Sequence, residues 1–160
     1  MESERAEDIA RLPRKRMGAG ALFVDASDRV LLVEPTYKNY WELPGGVVEA
    51  CESPYAAVVR EIHEELSLAV SLGRLLVVDW VPPGLYPSDG VMLVFDGGVL
   101  GADQTADIVL QTEELRSWAW CDDLEAAERL PDVLARRVAA ARRARAEGAL
   151  AYLEDGFAVA

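Results

Sequence analysis

Apolar positions along this chain alternate between two spacings, and the changes of spacing mark its elements. Residues 17–27 (MGAGALFVDAS) and 29–35 (RVLLVEP) are apolar runs of strand length, and the polar pair Ser27-Asp28 between them predicts a tight turn. Residues 36–46 (TYKNYWELPGG) predict a loop running into a short strand and a glycine pair. The period then changes. Ser53 suits a helix N-cap and Pro54 the first helical position. Tyr55, Val58, Val59, Ile62 and Leu66 follow as a single helical stripe. Strand-like runs return over 68–81 and 89–100, separated by the Pro-rich PPGLYPS of 82–88, and again over 116–121 (RSWAWC). Residues 131–147 predict an arginine-rich helix whose buried side is Leu134, Val138 and Ala141, with the arginines at 136, 137, 142, 143 and 145 as a solvated face. Residues 2–11 read as a polar lead-in, frayed or a short helix, and the last ten residues could add a short strand or remain loose. This order predicts an α/β (α+β) fold, a mixed β-sheet sandwiched between helices. The expected organisation is one domain over 17–147, with 1–16 as a lead-in and 148–160 as a C-terminal tail.

The chemistry concentrates on the first of these helices. Glu61, Glu64 and Glu65 stand at i, i+3 and i+4 and share a helix face, where like charges repel unless something cationic is bound. Mg²⁺ is a natural candidate, a hard cation that takes carboxylate oxygens and bridges to substrate phosphates. At about 100° per residue these acids centre roughly 130° from the apolar stripe, which predicts one packed face and an acidic flank at the surface. Ala57 falls in the acidic sector, where a small side chain leaves room for a ligand. The bland alternative is a solvated acidic face with no metal.

Composition narrows the partners. Hydrophobic residues make up 51% and charged residues 28% of the 160 positions, ordinary for a soluble single domain with a core. A formal net charge of −12 argues against non-specific binding to nucleic acid or an anionic membrane. Cys51 and Cys121 do not make a disulfide framework, so a reducing, cytoplasmic setting is expected. The N-terminal residues carry no apolar signal-like run, and no segment approaches membrane-spanning length.

Residues 46–68 resemble the box of the Nudix hydrolases: a glycine, five residues, a glutamate, seven residues, then Arg-Glu-apolar-x-Glu-Glu-x-Gly-apolar. Here these positions are Gly46, Glu52, Arg60, Glu61, Ile62, Glu64, Glu65 and Leu68, and the one departure is Ser67 in place of glycine. Cys51 is a softer departure, since a glycine commonly precedes the first glutamate. Both changes cost roughly 1 kcal/mol if a left-handed backbone is required. WELPGG resembles the family's Trp-x-x-Pro-Gly-Gly approach to the box, and EELRSWAW its penultimate strand.

The resemblance implies an α/β/α sandwich and Mg²⁺ or Mn²⁺ held by Glu61, Glu64, Glu65 and the backbone carbonyl of Gly45 or Gly46. It implies hydrolysis of a small-molecule diphosphate. Arg60 would orient the acids through Glu52 or Glu64, and Glu52 would lie behind the ligands or on a second metal. Candidates for the general base are Glu113, Glu114 and Glu61 itself. Tyr37, Tyr40, Trp41, Trp80 and Tyr86 are candidates to hold a base, with Tyr86 the best placed and the tryptophans more often core. Arg14, Lys15 and Arg16 could meet phosphate or form a charged lead-in. His63 falls away from the glutamates, which favours a packing or surface role, and Cys51 lacks a histidine partner.

The leading expectation is cleavage of a nucleoside diphosphate derivative to a monophosphate and a phosphorylated fragment. Pro83, fifteen residues past Leu68, points weakly to ADP-ribose or a nucleotide sugar. Oxidised nucleoside triphosphates and non-nucleotide diphosphates are the enzymatic alternatives, and a non-catalytic ligand sensor the non-enzymatic one. A homodimer would suit the apolar C-terminal residues.

Overall fold

The computed structural model describes residues 1–159. Its elements are α1 (Glu2–Ala10), β1 (Arg16–Val24), β2 (Val30–Pro35), β3 (Gly45–Val47), α2 (Pro54–Leu66), β4 (Leu75–Val81) and β5 (Gly90–Val99). There follow α3 (Ala102–Ala106), β6 (Leu115–Cys121), α4 (Asp123–Arg129), α5 (Asp132–Glu147), β7 (Ala151–Glu154) and β8 (Phe157–Ala158). The strands form one sheet in the order β6-β2-β1-β5-β4-β7-β8, with β3 paired to β1. β1 runs parallel to β5 and β4 parallel to β7, while the other pairs are antiparallel, so the sheet is mixed.

Alternation along the strands sends side chains to two cores. Ala19, Ala21 and Phe23 of β1 and Leu31 and Val33 of β2 pack against Val58, Ile62 and Leu66 of α2. Leu22, Val24, Val30 and Leu32 point the other way, to Val138, Ala141 and Ala144 of α5. The expected sandwich is therefore present, with α2 on one face of the sheet and α5 on the other.

Three local expectations need correction, and the choice left open for the last residues is resolved as strand. The strand expected over 68–81 starts only at Leu75, because Leu68, Val70 and Leu72 pack beside the α2 cluster instead. Two short helices, α3 and α4, were not anticipated. For α4 the sequence did carry a signal, a capping box in which the Asp122 carboxylate accepts from Glu125 N at 2.9 Å and the Asp122 N–H donates to the Glu125 carboxylate at 2.9 Å. The last residues form a hairpin, with β7 joined to β4 inside the sheet. The arginines of α5 are largely not solvated. Arg137 is buried on Asp79 at 2.7 Å, Arg136 donates to Asp155 O, Arg142 pairs with Asp28 and Asp123, and Arg145 pairs with Asp96. A lone guanidinium cannot be buried unpaired, and here each of these four meets an oxygen supplied by a distant segment.

Candidate active site

Helix α2 begins and ends on specific side chains. The Ser53 hydroxyl accepts from Ala56 N at 3.1 Å and Pro54 occupies the first turn. At the other end Ser67 adopts φ 58°, its N–H bonds His63 O at 3.0 Å, and its hydroxyl donates to Val109 O at 3.1 Å. Cys51, before the helix, sits at φ 62°. Both places where the sequence departs from glycine thus require the left-handed backbone that glycine adopts freely.

The face that α2 buries is rotated from the one predicted. Ala57, Val58, Ile62, Glu65 and Leu66 are buried, whereas Tyr55 is 41% exposed and rests edge-on against Phe95. The reason lies across the interface, where β3 offers a glycine pair. Gly45 has φ 148°, and a Cβ there would sit 2.2 Å from Ala19 O. A Cβ on Gly46 would stand 2.5 Å from the Glu61 carboxylate. With no side chains on the strand, the row Ala57, Glu61 and Glu65 lies down on it. Ala57 is therefore a packing residue and not a ligand space, and Glu65 is not on a surface flank but only 4% exposed.

That burial dominates the electrostatics. Glu65 Oε2 accepts the Gly45 N–H at 3.2 Å. Desolvation pushes its carboxyl up to about 9, the Gly45 bond opposes this, and the charges of Glu61, Glu42 and Glu114 add to it. Glu61 is raised too, chiefly by burial, with Arg60 working against the rise and Glu64 and Glu114 reinforcing it. Glu64 stands at the rim, its side chain about half exposed at 49%.

Arg60 fans over four acceptors. Its Nε and Nη2 make a bidentate pair with Glu52 at 2.8 and 3.0 Å, Nη2 also reaches Val47 O at 3.2 Å, and Nη1 donates to Glu61 at 2.9 Å and Glu64 at 3.4 Å. The hydrogen bond from Arg60 holds the Glu52 carboxyl at about 2. A planar five-donor fork can do this, and a lysine cannot.

Beside the acids lies a groove of about 750 Å³ lined by Thr36, Tyr37, Lys38, Tyr40, Leu85 and Tyr86. Burial raises the Tyr37 phenol, and the charges of Glu42, Glu65 and Glu114 act on it, which locates the groove next to the carboxylates. Of the five aromatics expected to hold a base, the structure brings Tyr37, Tyr40 and Tyr86 together here. Trp41 is placed elsewhere, packed on the α5-side core beneath Arg129, whose guanidinium is 4.4 Å from the ring. Trp80 is also placed elsewhere, its indole N–H donating to Asp89 at 2.8 Å. Both rings are spent on holding the scaffold.

Two of the three N-terminal cations already have partners. Lys15 pairs with Asp89, and Arg16 donates to Ser88 O at 3.2 Å while stacking 4.2 Å from the Tyr86 ring. His63 is exposed and borders a separate hollow with Tyr55, Val59 and Leu68. Lys38 and Glu42 escaped the sequence reading. Lys38 donates to Glu42 at 2.7 Å and lies over the Tyr37 and Tyr40 rings at 5.3 and 5.5 Å. They lie in a loop, where their spacing in sequence carries no signal of the pairing.

Among the described residues no three acidic side chains already converge on one point, so a cation site closes only when side chains turn. The donor set nevertheless fits a hard divalent ion. Glu65 is a buried carboxyl whose only hydrogen-bond partner is one backbone N–H, Glu61 is half-buried beside it, and both offer oxygen alone.

A family model, the NUDIX domain, matches residues 14–143. The RNA pyrophosphohydrolase of Roseobacter denitrificans is 30% identical over 140 residues, 78% of this chain and 86% of that protein. Diphosphoinositol polyphosphate phosphohydrolase 3-alpha of Mus musculus is 41% identical over 66 residues, a stretch covering 41% of this chain and only 40% of that protein. Among solved structures, a MutT protein from Methanosarcina mazei Go1 superposes with a TM-score of 0.67 at 23% identity, covering 86% of this chain and 98% of that one, and shows the shared fold. With the box, the sandwich and the family match in agreement, the chain belongs to the Nudix family and is a hydrolase acting on phosphorus anhydrides.

Proposed function

We propose that this enzyme cleaves the diphosphate linkage of a nucleoside diphosphate derivative, ADP-ribose or a nucleotide sugar, giving a monophosphate and a phosphorylated fragment. The observation that carries the reading is the under-compensated Glu65 carboxyl, buried against Gly45 and opening beside an aromatic groove. Glu61, Glu64, Glu65 and a carbonyl of the Gly45–Gly46 pair would hold Mg²⁺ or Mn²⁺, which when bound neutralises phosphoryl charge and polarises the bond to be broken. Arg60 keeps Glu61 and Glu64 aimed, with Glu52 holding the guanidinium in place. Tyr37 and Tyr86 face the base of the substrate across the groove, with Arg16 bracing Tyr86. Glu114 is the general base. Its charge acts on Glu61, Glu65 and Tyr37, which supports this assignment. The two cysteines are free thiols, which suits a cytoplasmic enzyme.

The test is a panel of diphosphate compounds assayed with Mg²⁺ and Mn²⁺, with product masses measured. Monophosphate plus a phosphorylated fragment is expected from ADP-ribose or a nucleotide sugar, and Tyr86→Ala should raise KM for it by about tenfold or more. Inertness toward all of these, with release of pyrophosphate from triphosphates, would overturn the reading. A second reading follows the similarity to an RNA pyrophosphohydrolase, in which the substrate is RNA. The net charge of −12 opposes a polyanion, and this reading is supported only if the purified enzyme turns over RNA faster than ADP-ribose or a nucleotide sugar.

A further inference from the structure

The groove and the proposed base sit on different segments, and one side chain ties them together. β2 pairs β6 with Glu34 opposite Ser117, but Pro35 stands opposite Leu115, a bulge that skips Arg116 and turns the chain at the mouth of the site. The next residue, Thr36, donates its backbone N–H to Glu114 O at 2.8 Å. Its hydroxyl donates to Glu113 O at 2.8 Å and lies 3.3 Å from Glu114 O. Thr36 also lines the groove, immediately before Tyr37.

On its other side the same turn is bolted to α2. Glu114 N and Leu115 N both bond Gln111 O, at 3.0 and 2.8 Å, and Gln111 N bonds Glu65 O at 3.0 Å. The side chains of Thr112, Glu113 and Glu114 are otherwise exposed, with no packing to hold them. Besides running into β6 at Leu115, the turn is tied to the last turn of the acidic helix and to Thr36. Of these ties, only Thr36 lines the groove.

We propose that Thr36 is a positioning residue that links occupancy of the Tyr37–Tyr86 groove to the placement of Glu114, so that substrates filling the groove are favoured in kcat and not only in KM. A ligand stacked on Tyr37 settles the wall that Thr36 begins, and the Thr36 hydroxyl fixes the turn carrying Glu114. A diphosphate too small to reach the groove leaves that wall, and hence the turn, less constrained. The inference rests on the proposed function, with Glu114 as base.

The experiment is a double-mutant cycle of Thr36→Val and Glu114→Gln, with Thr36→Ser as the conservative variant, measured on ADP-ribose and on a simple alkyl diphosphate. Thr36→Val keeps the backbone bond and the side-chain volume but loses the hydroxyl. It should lower kcat on ADP-ribose by about ten- to a hundredfold while KM changes by less than about threefold. Thr36→Ser should recover most of the lost rate. In the Glu114→Gln background Thr36→Val should have no further effect, and the kcat advantage of ADP-ribose over the alkyl compound should shrink in Thr36→Val alone. A parent-like Thr36→Val beside a slow Glu114→Gln overturns this inference and spares the base assignment. Additive losses, or an unchanged advantage, overturn it as well. A parent-like Glu114→Gln overturns the base assignment and this inference with it. Should Thr36→Val not fold, Thr36→Ala is read against the same outcomes.

Discussion

Glu65 is where the energetics of the site are sharpest, because a carboxyl 4% exposed with one backbone donor is unfavourable as an anion unless a cation arrives. Its folded value of about 9 lies above the 4.5 of an unperturbed glutamate, so without metal the folded state keeps a proton that the unfolded chain gives up. The metal-free protein therefore has its full stability from this group below pH 4.5 and loses it progressively as pH rises to about 9, a trend that Glu65→Gln should flatten in thermal melts. Mg²⁺ favours the anion and displaces that proton, so its stabilisation should grow with pH across the same window. A Mg²⁺ effect independent of pH would contradict this. Glu65→Gln should also cost at least about a hundredfold in kcat, checked by single-substrate assay. Two neighbours differ in how they tolerate left-handed backbone. Ser67 recovers part of the cost through its bond to Val109 O, whereas Cys51 makes no side-chain bond. Cys51→Gly should raise stability by roughly 0.5–1 kcal/mol and Ser67→Ala lower it by about 1 kcal/mol, as read by denaturant melts.

Helix α2 works as a unit because Arg60 gathers what would otherwise repel. Glu52 before the helix and Glu61 and Glu64 on it all share one guanidinium, so the repulsion between Glu61 and Glu64 is answered from within the motif, while Glu65 stays outside the clasp. Arg60→Lys retains the charge but cannot bridge three carboxylates at once. It should leave the fold intact by circular dichroism and cost about 10–100-fold in activity, with a higher Mg²⁺ requirement. Glu52→Gln should reproduce a large part of that loss although it touches neither Glu64 nor Glu65. The groove depends on its elements in the same way. Tyr86 sits in an exposed Pro-rich loop, and Arg16 at the start of β1 holds it from below.

Across the whole molecule, α5 is locked to the sheet by charge as well as by its alanine face. Asp79 is fully buried on β4, accepts Arg137 Nε at 2.7 Å and takes the Gly156 N–H at 3.0 Å, so one carboxylate joins α5, the sheet and the terminal hairpin. Arg136 continues the clasp by bonding Asp155 O and stacking 3.9 Å from Phe157. Asp79→Ala should destabilise by about 3–5 kcal/mol, because it strands a buried guanidinium. The paired apolar replacement Asp79→Leu with Arg137→Met should recover most of that loss, and calorimetry on the three variants distinguishes pair from packing. These changes lie on the face opposite α2, so kcat at a temperature where the variants are folded should be little altered.

Much of this was legible in one dimension because it depends on spacing. The caps of α2, the box from Gly46 to Leu68, the bracing of Glu52 and Glu64 by Arg60 and the three-layered α/β/α sandwich all follow from periods and from residues a few positions apart. What depends on distant segments was not legible. Periodicity assigned Glu65 to a surface flank because an acid is priced as exposed, and only the bare glycine strand β3, brought under α2 by β1, allowed that row to be buried. The arginines of α5 looked solvated for the same reason, since their partners Asp79, Asp155, Asp28 and Asp96 come from four other stretches of chain. The groove too is tertiary, with Tyr37 and Tyr86 far apart in sequence and meeting only across the sheet's end. The sequence by itself determined the acidic cluster and the helix that presents it. The tertiary structure decided which acid is desolvated and what the substrate meets beside it, because burial and long-range pairing are set by whatever segment packs opposite.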